Sequence, residues 1–90
     1  MTVWYTRRAL TELDAIQRYI SKHNPQAAWV VASFIRRDIR MLERWPYLGR
    51  ATEKQDVRRL TVTNYPYVVY YLVSDDAVSI LQVRHSARQR

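Results

Sequence analysis

The chain has 90 residues, 48% of them apolar, enough for one small core and a single domain spanning residues 1–90. It contains no cysteine, which excludes a disulfide framework and a thiolate metal site. Its two histidines, His23 and His85, stand far apart in sequence without an acidic cluster nearby, which argues against zinc. Fifteen Lys and Arg against eight Asp and Glu leave a net charge of +7, and Lys22 and Lys54 are the only lysines, so the surplus is almost all guanidinium. A planar guanidinium fork fits phosphate or carboxylate bidentately, and this balance implies a polyanionic partner: RNA, DNA or an acidic protein segment. The sequence shows no apolar signal segment and no run long enough to span a bilayer, so the expectation is a soluble cytoplasmic protein needing no membrane and no cofactor.

Residues 2–6 alternate Val3 and Tyr5 against Thr2, Trp4 and Thr6, the pattern of a short strand. Thr6 is placed to cap a helix beginning at Arg7, along which Ala9, Leu13, Ile16 and Ile20 recur at helical spacing, with Leu10 widening the stripe. That helix is expected to stop near Lys22 and His23. Asn24-Pro25 is the sharpest boundary: proline disfavours a helical residue before it and suits a first helical turn, so Asn24 caps a second helix running to about Trp45. Its apolar stripe is Ala28, Val31, Ala32, Ile35, Ile39 and Leu42, flanked by Trp29, Phe34, Met41 and Trp45. Arg36, Arg37, Arg40 and Arg44 form the outer face, partly offset by Asp38 and Glu43. Two apolar stripes joined by a short loop predict an antiparallel helical hairpin.

Gly49, the single glycine, is expected to supply a positive φ after the second helix, and 51–56 reads as a polar connection. Three apolar-rich runs follow, at 57–62, 67–73 and 78–84, separated by Asn64-Tyr65-Pro66 and Ser74-Asp75-Asp76 turns. The order β-α-α-β-β-β gives an α+β architecture, a helical hairpin packed on one face of a small, mostly antiparallel sheet.

The last strand delivers Arg84 and His85 to one sheet edge, with Arg88 in the tail. If Leu60 and Val62 face the helices, strict alternation puts Arg58 with them and Arg59 on the opposite face. The same alternation groups Arg84 with Val78, Ile80 and Gln82, and His85 with Leu81 and Val83, so only one of Arg84 and His85 can join Arg59. His85 is a candidate base, imidazole being the side chain suited to proton transfer near neutral pH, although a histidine at a strand end serves more often as a hydrogen-bonded structural residue. Arg58 is a further candidate, or a structural partner of Asp14 or Glu12. Among the tyrosines, Tyr70 is read as structural, while Tyr67 and Tyr71 are left open between core and base-stacking roles.

The sequence of motifs resembles the RelE/ParE superfamily of bacterial type II toxins, in the ParE-like branch. The resemblance runs through Ala9…Leu13-Asp14…Ile16…Tyr19-Ile20, Asn24-Pro25…Ala27-Ala28 and Leu42…Pro46…Gly49-Arg50. It continues in Val57-Arg58…Leu60, Tyr65…Tyr67-Val68-Val69-Tyr70-Tyr71, Val78…Ile80-Leu81…Val83 and His85…Arg88. It implies a growth-inhibiting toxin neutralised by a cognate antitoxin. RelE-like members cleave mRNA on the ribosome, whereas ParE-like members inhibit DNA gyrase, and fold alone does not separate the two. Carried over residue by residue, the nuclease set would be Arg59, Arg84, His85 and Arg88. Tyr67 stands where RelE-like enzymes carry an arginine at the start of the middle strand, and the tail has no tyrosine, which favours gyrase binding. The alternatives are a ribosome-dependent mRNA endonuclease and a degenerate member that binds antitoxin without toxicity. Target contacts are expected among Arg50, Arg58, Arg59, Tyr67, Arg84, His85 and Arg88. The antitoxin's acidic and apolar C-terminal segment is expected on the hairpin at Trp29, Phe34 and Arg37.

Overall fold

The computed structural model describes residues 1–88, without the side chain of Arg88. Strand β1 (Thr2–Tyr5) leads into helix α1 (Arg7–Ser21), helix α2 (Pro25–Arg40) and a 3-10 turn at Met41–Glu43. Strands β2 (Arg50–Ala51), β3 (Val57–Thr61), β4 (Tyr67–Val73) and β5 (Ala77–His85) follow, with a last 3-10 turn at Ser86–Arg88.

Both helix starts follow from their caps. The Thr6 hydroxyl accepts the Ala9 N–H at 3.1 Å, and Asn24 Oδ1 accepts the Ala27 N–H at 3.0 Å with Pro25 in the first turn. Thr6 does more than cap, since its Oγ1 donates to Ile80 O at 2.7 Å and so fastens the start of α1 to β5. α2 ends at Arg40, short of the expected Trp45, and tightens into the 3-10 turn before Pro46, which disfavours helical backbone at Trp45. The 3-10 turn keeps Leu42 buried in line with Ile35 and Ile39, while Trp45 is left exposed. Ala9 and Leu13 are buried as expected, but Leu10 is exposed and does not widen the stripe.

The sheet order is β1-β5-β4-β3-β2, with β1 parallel to β5 and the other neighbours antiparallel. β5 is thus internal over its first half and becomes an edge only where β1 ends. The helical hairpin covers one face, and the core between them centres on Ile35, Ile39, Leu42, Tyr71, Ile80 and Val83.

Three local features differ from the sequence expectation. First, 51–56 is not a simple connection: Arg50 and Ala51 pair with Arg59 and Arg58, making a β2–β3 hairpin. Its turn is closed by Thr52, whose N–H and Oγ1 both donate to Val57 O, at 3.2 and 2.9 Å. The positive φ values lie at Asp56 (63°) and Asn64 (68°), residue types that tolerate the left-handed region.

Second, Gly49 has no positive φ. Its requirement is space: a Cβ there would lie 2.8 Å from Arg59 O, 2.8 Å from the Tyr71 hydroxyl and 2.9 Å from Tyr71 Cε1. The Gly49 N–H donates to that hydroxyl at 2.8 Å.

Third, Asp38 does not sit on the solvated face of α2. It is buried, and its Oδ2 accepts the Thr63 N–H at 2.7 Å just after β3. Oδ1 has no hydrogen-bond partner among the described residues, with Arg37 Nε at 3.6 Å.

Gly49→Ala is expected to lower the unfolding free energy by about 1–3 kcal/mol, the usual cost of forcing an added carbon against fixed neighbours. A denaturant titration checks this. An unchanged midpoint would mean that the 49–50 segment moves freely away from Tyr71.

Candidate functional site

The sheet face away from the helices is set by one irregularity. Tyr70 pairs with Gln82 but Tyr71 with Ile80, so Leu81 is an extra residue, a β-bulge in β5. Its effect is to move everything after it by one position. Val78, Ile80 and Val83 are all buried although strict alternation would split Ile80 from Val83. Strict alternation therefore misplaces Arg84: it shares the open face with Gln82, opposite Ile80. Glu12 of α1 secures the shifted segment, its Oε1 accepting the Val83 N–H at 2.9 Å beyond the end of β1. Arg8 in turn pairs with Glu12 at 3.3 Å.

The resulting register aligns Arg50, Arg59, Tyr70 and Gln82 across four strands, with Arg84 in the next row opposite Val68. Arg50, Glu53, Lys54, Arg59, Tyr70, Gln82 and Arg84 all line an open depression of about 620 Å³. The Gln82 side chain accepts from Arg84 Nη1 at 3.3 Å and steadies the guanidinium over the strand. The described ion pairs are Arg8–Glu12, Arg18–Asp14 and Arg37–Asp38, all on the helices. The cations of the open face therefore have no acidic partner among the described residues.

The other sequence candidates lie elsewhere. His85 pairs with Tyr67 on the helix side of the sheet, the rings 5.2 Å apart edge to face, and its Nδ1 accepts the Ala87 N–H at 3.1 Å. Tyr67 and Tyr71, left open by the sequence, are both buried in the core, while Tyr70, read as structural, faces the depression. Arg58 pairs with neither Asp14 nor Glu12. It donates to Gly49 O at 2.7 Å and lies 4.9 Å from the centre of the Tyr47 ring, bracing the turn that leads into β2. The Arg88 side chain falls outside the described residues. Lys54, Tyr70 and Gln82 are members of the depression that sequence reasoning missed. The parity of Tyr70 with Arg59 becomes visible only once the β3–β4 register is known.

On the helical side, Trp29 is 72% exposed, and Leu10, Tyr19 and Val30 are also open to solvent. Phe34 is half-buried, its ring 5.3 Å from that of Tyr65 and 4.4 Å from the Arg37 guanidinium. Among the described residues there is no group of three metal-ligating side chains, and no helix is long and apolar enough to cross a membrane.

Residues 3–90 match the family model described as the ParE toxin of the type II toxin–antitoxin system parDE. The chain belongs to the ParE toxin family. It is 40% identical over 86 residues to Toxin RelE2 of Caulobacter vibrioides, covering 96% of this chain and 94% of that one. It is 38% identical over 85 residues to Y4kP of Sinorhizobium fredii, covering 94% of this chain and 88% of the relative. A structure titled as the chromosomal ParDE system from P. aeruginosa superposes with a TM-score of 0.86 at 26% identity, covering 94% of this chain and 95% of that chain. The fold shared with this ParE-family neighbour is two helices on a five-stranded mixed sheet.

Burial raises the pKa of the Tyr71 phenol above the ordinary 10.0, against smaller opposing pulls from the Gly49 N–H and Arg58, and burial also raises that of Tyr5. The fold thus favours the neutral phenol. This contribution to stability is complete below pH 10 and declines as pH rises, because the unfolded chain ionises first. Alkaline denaturation monitored by circular dichroism should show stability falling above about pH 10. Tyr71→Phe should start less stable, its Gly49 N–H having lost an acceptor, and should fall less steeply. Parallel profiles for the two proteins would contradict this role.

Proposed function

We propose that this ParE-family toxin acts in the bacterial cytoplasm by binding DNA gyrase through the open face of its sheet, and that a cognate antitoxin neutralises it. The observation that carries this reading is the separation of His85 from Arg59 and Arg84. RNA cleavage without a metal requires a group that takes the 2′-hydroxyl proton as well as groups that stabilise the phosphorane charge. Arginine keeps its proton at physiological pH, so Arg50, Arg59 and Arg84 can hold an anion but cannot serve as the base. The imidazole that could do so is on the other side of the sheet, engaged by Tyr67 and the Ala87 N–H.

A second reading, a ribosome-dependent mRNA endonuclease, draws support from Lys54 and Glu53 lining the same depression as Arg59 and Arg84. A pulse of expression followed by mapping of mRNA 5′ ends and of the DNA-damage response separates the two. The expected result is intact mRNA, a damage response and, with purified gyrase, loss of supercoiling. This effect should persist in His85→Ala and be weakened at least tenfold in the Arg59→Glu, Arg84→Glu double variant. New mRNA ends at ribosomal A-site positions, lost on His85→Ala, would establish the nuclease instead.

For the antitoxin, the supporting feature is the hairpin surface, where Trp29 is exposed and half-buried Phe34 lies 4.4 Å from the Arg37 guanidinium. Apolar anchors on a helix that also carries cations suit an amphipathic acidic segment. Trp29→Ala should weaken antitoxin binding by about 10-fold or more, within the range of a buried aromatic anchor. Calorimetry with the C-terminal antitoxin peptide measures it, and unchanged affinity would move the contact elsewhere.

A further inference from the structure

Arg50 and Arg59 are directly opposite one another in a two-stranded pairing, on the same face of the sheet. Like charges in that position repel and weaken a hairpin, and β2 contributes only two residues with which to hold it. Arg84 and Lys54 add positive charge to the same depression, and no acidic side chain pairs with any of the four among the described residues. Such an arrangement is relieved when an anion sits between the guanidiniums.

Its dimensions indicate the kind of anion. From β2 to β5 there are three inter-strand steps, so Arg50 and Arg84 are spread over about 14 Å. One isolated phosphate or carboxylate cannot reach across that span. A single DNA strand presents a phosphate about every 3.4 Å of helix axis, so the span faces three or four successive charges. Gln82 and the Tyr70 hydroxyl add neutral hydrogen-bonding groups to the floor, as phosphate oxygens require. An acidic peptide would need apolar anchors as well, and none of the exposed aromatics Trp4, Trp29, Trp45 and Tyr47 lines this depression.

We infer that the depression formed by Arg50, Lys54, Arg59 and Arg84 binds the phosphodiester backbone of DNA, so that the toxin recognises gyrase with its DNA rather than gyrase alone. This rests on the gyrase reading above and specifies what that face touches. Binding that depends on both components favours the assembled enzyme–DNA complex, the species whose trapping would be toxic.

The test uses the full-length toxin with a labelled duplex alone, with gyrase alone and with gyrase plus duplex, each over a range of KCl concentration. The gyrase–DNA complex should bind at least tenfold more tightly than gyrase alone. The logarithm of the affinity for duplex should fall against log[KCl] with a slope of about −3, and Arg59→Gln and Arg84→Gln should each lower its magnitude by about one. Arg18→Gln, which removes a helix ion pair with Asp14, should leave the slope unchanged, and thermal melts of all three variants confirm folding. Tighter binding of a single strand than of the duplex would still support a phosphodiester site and identify its source. The inference is overturned by a slope near zero, a slope indifferent to both variants, competition by polyglutamate as effective as DNA, or a preference for RNA over DNA. If the toxin binds gyrase equally with and without DNA and both variants bind normally, the phosphate site fails while the gyrase reading stands. If DNA binding shows the expected slope but gyrase never binds, the gyrase reading fails and the phosphate site stands.

Discussion

The extra residue in β5 is the constraint on which the arrangement of this molecule depends. Without Leu81 bulging out, Arg84 would follow Ile80 into the helix-facing core and His85 would take its place on the open face. A buried guanidinium with no partner would be costly, whereas the bulge lets Ile80 and Val83 both enter the core and leaves the charge in water. β1 ends at Tyr5, leaving the second half of β5 without a strand partner on that side, and here α1 meets that need. Glu12 takes the Val83 N–H, and Thr6 takes Ile80 O while capping its own helix. One helix thus fixes both the start of the hairpin and the phase of the strand that carries Arg84.

The second consequence is a division of chemistry between two sides of the sheet. The helical side sets exposed aromatic and aliphatic side chains among its arginines, and the open side sets Arg50, Arg59 and Arg84 around a polar floor. A domain of this size has little burial to spare, so neither surface is favourable for the free molecule: exposed Trp29 forgoes burial, and opposed Arg50 and Arg59 repel. In the proposed function both deficits are relieved by partners, an amphipathic acidic segment on the hairpin and a phosphodiester backbone on the open face. Geometry of this kind lets one partner occupy the hairpin without competing for space on the open face.

Much of this was legible in the sequence, and the parts that were not share a physical cause. Thr6 and Asn24 announced their helices because capping is local: a hydroxyl or amide needs only the N–H three residues on. The helical stripes through Leu13, Val31, Ile35 and Ile39 were readable because period is a local property too. The bulge at Leu81 was not, since it is defined by which residue of β4 faces which residue of β5. Its invisibility carried an error forward, placing Arg84 with Ile80. Tyr70 was misjudged for a related reason: in a run of near-continuous apolar residues parity has no anchor until the neighbouring strand supplies it. Gly49 shows that a lone glycine can be required by the approach of a distant side chain, Tyr71, with no demand on its own φ. Asp38 looked like part of a solvated helix face because its partner, the Thr63 N–H, lies 25 residues away.

The proton inventory of the open face decides what it can do. Its strongest groups are guanidiniums, whose charge is fixed across the physiological range and whose donors form a rigid fork. Fixed charge on preformed strands gives attraction that needs no proton transfer and changes little between pH 6 and 9. Catalysis needs a group that gains and loses a proton during the reaction, and the fold holds its last-strand imidazole against Tyr67 on the opposite side. Strand parity alone separates the two, because adjacent residues on a regular strand cannot share a face. A single insertion or deletion in the last strand would exchange Arg84 for His85 on the open side. On this scaffold the choice between gripping an anion and cleaving it therefore turns on strand phase as much as on which residues are present.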